Sequence, residues 1–565
     1  MSGSVQIRLD LSQPSTQTVW VQMEWEPQWH RQILQFPVWT PGSYTVRDHV
    51  QHLHSLTLHS LGTPLSIRRL APHKWQCDLV DLDPLTLTYA VESRDLSVRT
   101  GLIDPDLASL ALASVVLEVE GFRWLPHRLQ VVVPNSWQVH IPLTRLEQGW
   151  YAEDLDELID SPLHAGLFGF QSFTVQGYRH ELLLIGSHPF GWPETFVVDL
   201  ERVCKATCQL MGTAPPAGDR YHLVLQLLEN GYGGLEHDYS AVLQYSWSAL
   251  ATDKGYRKLL QLVGHEYLHQ WNVRRLRPTE YRPYDYTRPV VSEGLWFAEG
   301  ITSYYDLSLP LLAGCSDRSM LLSDLGEELS AVLMTSGRSI QSLSMSAEEA
   351  WVKLYKSTPA SRDSQVSYYR LGTAVAFCLD VRLRTHGSSL AQLLRYLWER
   401  YGRTLRGYCR QDLHCWLASL ADGISADLDH WLDDTDSVPL EQTAQSIGLR
   451  LVPVPSKMPH HGLTLKESSG ALVIQRVMQQ SPGMKASLVV GDEILGLNGF
   501  RVQHLDTIPL LMRNQKDVLV TFARRGSIQE TYLSPETGVE RWCLDWDSGA
   551  TSDQLALREQ WFQIL

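Results

Sequence analysis

His265 and His269 stand four residues apart in the segment GHEYLHQW, with Glu266 directly after the first of them. On a helix both imidazoles leave one face a turn apart and can bite a single ion, which is the spacing of zinc ligands. Glu266 projects near that face, where a carboxylate accepts the proton of a metal-activated water, and it is the candidate general base. With 21 histidines in 565 residues, chance would supply this pattern about 0.05 times. A catalytic zinc needs three protein ligands and one open position. Downstream, GLWFAEGITSYYDLSLP offers Glu299 as the third ligand, with Glu293 as its competitor. Glu299 is preferred, because Glu293 lies between Ser292 and Gly294 near an expected helix start, where the helix dipole already explains an acidic residue. Asp306 follows Glu299 on the same expected helix, placed to hold the second nitrogen of a ligand histidine and fix its tautomer.

Leu259, Leu260, Leu262, Val263, Tyr267 and Leu268 give the histidine-bearing helix the apolar surface of a buried element. Before it, from Val5 to about Leu163, short alternating runs such as VQIRL, TVWVQMEW and LTLTYAV are separated by Pro, Gly and Asn. Period-2 alternation with frequent breaks predicts an all-β sandwich. The acidic stretch Asp154 to Pro162, DLDELIDSP, reads as a solvated linker. LLLIGSH and YHLVLQLLEN are strand-like, and from Tyr256 to about His430 the pattern is helical. The piece from about Leu449 to Leu533 returns to strands and reads as a separate small domain. Cys204 and Cys208, four apart, read as packing on one helix face.

HEYLHQWNVRRLRP followed by LWFAEGITSYYD resembles the glycyl aminopeptidase family of zinc metallopeptidases, relatives of the thermolysin-like aminopeptidases with a Glu as third zinc ligand. Upstream, GYGGLEHDYS resembles the exopeptidase motif of that wider group. This resemblance implies that Gly233 and Gly234 lie on an edge strand beside the substrate backbone and that Glu236 holds the substrate's α-amino group. Glycines there let a second backbone approach closely. VSYYRLGTAVAFCLDVRL resembles the family's tyrosine helix, which implies that Tyr369, with Tyr368 as its rival, donates a hydrogen bond to the oxyanion.

The resemblance also covers both flanks. FPVWTPGSYTVRD, Phe36 to Asp48, is similar to the signature of the family's N-terminal β domain, and DELIDSPLHAG to its junction with the catalytic domain. QQSPGMKASLVVGDEILGLNG resembles a PDZ domain, which implies capture of a peptide C-terminus by strand addition along the GLTL strand after His461. Pro482-Gly483 and Ala486-Ser487-Leu488 depart from the usual PDZ helix, which leaves packing within the chain as an alternative use of that domain.

The expected fold is a multidomain α+β protein: an N-terminal β-sandwich, a thermolysin-like zinc peptidase domain with a helical continuation, and a C-terminal PDZ domain. The expected boundaries are 1–165, 166–310, 311–445 and 446–540, with a tail at 541–565. The expected activity is zinc-dependent removal of small N-terminal residues, Gly or Ala, from peptides with a free N-terminus. A zinc endopeptidase fed by the PDZ domain and a non-catalytic scaffold are the alternatives. Forty-eight Lys and Arg against 63 Asp and Glu, with no basic run, argue against nucleic acid as a partner. No stretch approaches the roughly 18 to 20 apolar residues of a membrane span. The N-terminal residues lack the basic and apolar regions of a signal peptide, and the eight cysteines are scattered, so a cytoplasmic location is expected.

Overall fold

The computed structural model describes residues 3–564. Met1 and Ser2, in the first expected domain, and Leu565, at the end of the expected tail, lie outside the described residues. The chain divides into two compact units. One runs to Val291 and also takes Ser308–Ser316 and Leu394–Cys409; the other comprises Ser292–Leu307, Asp317–Leu393 and the chain from Arg410 onward.

The first unit opens with a β-rich domain. Its eight-stranded sheet is built on Val5–Asp10, which pairs antiparallel with Thr18–Trp25 and parallel with His127–Val132. Along Thr18–Trp25, Val19, Val21, Met23 and Trp25 are buried and the residues between them are not, the period of two that the sequence carries. Two four-stranded sheets complete the domain's β structure. A five-stranded sheet follows, in the order Gly169–Val175, Tyr178–Ile185, Tyr221–Leu228, Ser240–Ser246, Tyr232–Glu236. Its inner pairings are parallel, and Tyr232–Glu236 forms an antiparallel edge. Val98 from the β-rich domain shares one core with Leu183, Ile185, Val224, Leu235 and Val242 of this sheet, so sheet and domain bury apolar surface together.

Two helices of this unit matter for the site. Asp253–Leu268 packs against Phe196–Met211, and a Cβ on its Gly264 would lie 2.9 Å from Leu309 Cδ1 and 3.4 Å from Val203 Cγ1. Cys204 and Cys208 are buried on the partner helix.

The acidic stretch expected to be a solvated linker is an ordered part of the fold. Leu155–Ile159 is a short helix, and the Asp154 side chain accepts from Glu157 N at 2.8 Å as its cap. Asp160, only 7% exposed, receives Arg274 Nη2 at 2.8 Å, Asp238 N at 2.7 Å and His237 Nδ1 at 3.0 Å. A carboxylate in that position is an internal anchor, because three donors replace the water it has lost.

The second unit combines helices, chiefly Arg318–Leu333 and Tyr368–Arg384, with a small β domain. That domain's strands run Leu463–Ser468, Ala471–Val477, Glu493–Leu497, Val518–Arg524, Ser527–Leu533 across the sheet, with Leu463–Ser468 at an edge. Its own core includes Leu472, Ile474, Ile494, Val520 and Phe522. Beyond it, Val539–Trp546 pairs antiparallel with Leu449–Pro455, and the helix Ser552–Phe562 ends the described chain. Among the described residues no helix is long and apolar enough to cross a membrane.

Candidate active site

The helix Asp253–Leu268 begins at Thr252, whose hydroxyl accepts from Gly255 N at 3.0 Å, and ends at His269. Its apolar residues face inward, which leaves His265 half-buried and carries Glu266 and His269 into the interior. The two imidazoles leave one face, with ring centroids 4.7 Å apart and planes at 89°. His269 Nδ1 lies 2.6 Å from the carbonyl of Asn272. A carbonyl only accepts, so Nδ1 carries the proton and Nε2 presents its lone pair, the tautomer that binds a metal. The residues therefore suit a divalent cation. The Trp271 indole donates to Thr213 Oγ1 at 2.9 Å and anchors the chain where it leaves the helix.

The edge strand Tyr232–Glu236 lies against this helix. Ligand-type atoms of Glu236, Glu266 and His269 all lie within 4.8 Å of one another. Glu236 is 4% exposed, and its Oε1 is buried with no hydrogen-bond partner among the described residues. A Cβ on Gly234 would overlap the Glu266 carboxylate, so the glycine allows strand and base to meet.

Two residues of the β-rich domain complete this corner. Gly42, at φ +79°, lies so close that a Cβ would come 2.5 Å from Glu236 Oε2. Arg99 Nη2 donates to the Gly234 carbonyl at 3.2 Å. The TPGSY segment contains Gly42, but its sequence does not reveal what that glycine touches. Arg99 carries no sequence signal at all.

The other expected residues stand in the second unit. Glu299 is 2% exposed on a π-helical turn, Trp296–Gly300, ahead of the α-helix Ile301–Leu312 that carries half-buried Asp306. Such turns insert one extra residue and recur at functional sites. A Cβ on Gly300 would fall 2.6 Å from Gly372 Cα, so the turn and the helix Tyr368–Arg384 meet backbone to backbone. Tyr368 is fully buried and Tyr369 half-buried, with their rings stacked at 4.7 Å. Tyr355 OH lies 3.0 Å from Tyr368 OH and 3.1 Å from Tyr369 OH, a link with no sequence motif to announce it. The Glu293 carboxylate is engaged by Arg410, which also binds Asp433. His265 and His269 thus belong to the first unit, and Glu299, Tyr368 and Tyr369 to the second.

Residues 6–167 match the Peptidase M61 N-terminal domain, and residues 258–375 match the M61 glycyl aminopeptidase. An aminopeptidase N family protein from Idiomarina loihiensis is 28% identical, with a TM-score of 0.90 over 98% of this chain and 99% of that one. A variant of the M1 zinc metallopeptidase from Deinococcus radiodurans shares the fold at 13% identity, with a TM-score of 0.50 over 78% of this chain and 95% of that one. No curated protein matches the sequence. Fold and motif together define a metallopeptidase, an enzyme with peptide substrates. The chain carries the N-terminal and catalytic domains of the M61 glycyl aminopeptidase family.

Proposed function

We propose that the protein is a zinc-dependent aminopeptidase that releases N-terminal residues from peptides. The observation that carries this reading is the Glu236 carboxylate, buried at the end of an edge strand with Oε1 lacking a donor. An unmatched buried carboxylate oxygen is costly, and a substrate α-ammonium supplies the N–H donors that Oε1 lacks together with a positive charge. A carboxylate at a fixed distance from the reacting carbonyl selects a free N-terminus. Gly233 and Gly234 let the substrate backbone run beside the strand. The preference for Gly or Ala rests on the family resemblance alone.

His265, His269 and Glu299 are the proposed zinc ligands, two imidazoles and a carboxylate, a donor set that in catalytic sites leaves the fourth position to water or substrate. A zinc ion held by these three residues would supply Lewis-acid polarisation of the scissile carbonyl and a more acidic attacking water. Glu266 accepts that water's proton and returns it to the leaving amine. Tyr369 donates to the oxyanion; Tyr368 is the less suited of the pair because it is fully buried. Asp306 is assigned to orient His265, since a backbone carbonyl already orients His269. The edge strand Leu463–Ser468 is the proposed PDZ-type surface for a peptide C-terminus. A cytoplasmic location agrees with eight free cysteines.

The test uses Gly-Ala and Ala-Ala peptides with free or acetylated N-termini, on protein of measured zinc content. Release of the first residue from the free amines only, lost on chelation and restored by zinc, is the expected result. Equal cleavage of acetylated peptides would remove Glu236 as the selector and replace aminopeptidase with endopeptidase.

A further inference from the structure

A cavity of about 730 Å³ lies within the second unit, and none of the carboxylates and histidines described above is among the residues that line it. Its walls come from the small sheet through Thr464 and Arg476, from the segment around Thr358–Gln365, and from the first turn of the tyrosine helix. Three guanidinium side chains line it, Arg362, Arg370 and Arg476, and no carboxylate does. Two of them are partly neutralised: Arg476 Nη2 lies 2.7 Å from Asp363 Oδ1, and Arg370 Nε lies 3.3 Å from Glu328 Oε2. Arg362 is exposed and has no ion pair among the described residues. Partial burial of the guanidinium, which still reaches solvent, and the neighbouring charges of Arg370 and Arg476 hold its pKa below the usual arginine value.

A second feature points the same way. The tyrosine helix has 17 residues, and its N-cap Ser367 makes no side-chain cap hydrogen bond while lining the cavity. A helix N-terminus presents N–H groups and positive potential to an anion. Ser357 and Ser361 add hydroxyls to the wall, and Leu354 and Val366 add apolar surface. The volume lies in the roughly 300 to 1,000 Å³ range of small-molecule sites and far exceeds a bare ion.

We propose that this cavity binds a small organic oxyanion, an uncharged body bearing one phosphate or carboxylate that pairs with Arg362 and faces the tyrosine helix N-terminus. Arginine's fork suits either oxyanion, so the two sources share one chemistry. Binding there requires neither zinc nor peptide cleavage, so its test is read independently of the aminopeptidase reading, although the helix it faces begins at Tyr368 and Tyr369.

The experiment is calorimetric titration of the full chain at low salt with phenyl phosphate and N-acetylphenylalanine, and with N-acetylphenylalaninamide as the neutral control. Saturable binding of at least one oxyanion and none of the amide is expected, and the tighter oxyanion identifies the source. Arg362→Gln should weaken it at least about tenfold and Arg370→Gln should weaken it as well. Because Arg362 is exposed and unpaired, its replacement should leave the thermal midpoint unchanged. No saturable binding of either oxyanion up to about 10 mM, or binding that Arg362→Gln leaves unchanged, would overturn the proposal.

Discussion

Glu236 and Glu266 are two carboxylates in one corner with different proposed tasks, and their surroundings separate them. Glu236 closes an edge strand against Gly42, whereas Glu266 rises from the helix between the two histidines and meets Gly234. Glu266→Gln keeps the shape and removes the proton acceptor. As a general base is worth about 10² to 10⁴ in rate, kcat should fall by that factor while bound zinc stays stoichiometric. Parallel measurement of kcat and metal content checks this, and a near-normal rate in zinc-loaded protein would move the base elsewhere. At this scale the sequence is legible where residues share one helix, because spacing alone puts His265, Glu266 and His269 within reach of one another. It is silent where the partner is distant. Gly42 and Arg99 each touch a proposed site residue across long stretches of chain, and Tyr355 reaches Tyr369 across 14 residues outside any motif, so no local pattern encodes these contacts.

Elements were legible to the extent that burial follows a period. The strand Thr18–Trp25 and the helix Asp253–Leu268 bury the faces that their apolar spacing predicts. The π-helical turn at Glu299 was not foreseen, since one inserted residue leaves the apolar pattern almost unchanged. The acidic stretch at Asp160 misled for another reason: charge favours water only when no guanidinium is folded against it, and Arg274 is. Where the Glu299 turn meets the tyrosine helix, Gly372→Ala would bring a Cβ to 2.8 Å from Gly300 Cα. Overpacking of this kind costs about 1 to 3 kcal/mol and should push the two elements apart. The expected result is a lower denaturation midpoint together with weaker zinc retention, read by denaturant unfolding and chelator competition. Unchanged retention would separate the turn from the metal. The strand His127–Val132 makes a pH prediction. Burial holds the His127 imidazole down to about 4, against a weaker opposing hydrogen bond to Leu125. Between pH 6.5 and 4 the unfolded chain binds a proton that the folded one refuses, so stability falls as pH falls. His127→Gln should flatten that slope by up to about 1.4 kcal/mol per pH unit, measured as unfolding free energy across this window.

For the molecule as a whole, the chain returns late to support an early element. Its last helix places Trp561, 4% exposed, so that the indole donates to Tyr304 OH at 2.8 Å, and Tyr304 donates in turn to Asp380 Oδ2 at 2.9 Å. Asp380 also receives Arg384 Nε at 3.1 Å and Leu390 N at 2.9 Å. Tyr304 stands on the helix that continues from the Glu299 turn, and Asp380 stands on the tyrosine helix. The C-terminal segment therefore ties together the two elements that carry Glu299 and Tyr369. Without a motif it carried no sequence signal, because its role lies entirely in what it packs against. Trp561→Ala removes the indole and its contact with Phe377, and a large-to-small change of this kind costs about 3 to 5 kcal/mol. Trp561→Phe keeps most of the volume and loses only the N–H, worth about 0.5 to 1.5 kcal/mol. If the tail acts through these elements, the alanine variant should lose zinc affinity in step with stability, and the phenylalanine variant should lose little of either. Equal stability of all three proteins in denaturant would make the tail a passenger. A loss of stability with zinc affinity intact would confine its support to the helices and exclude the turn.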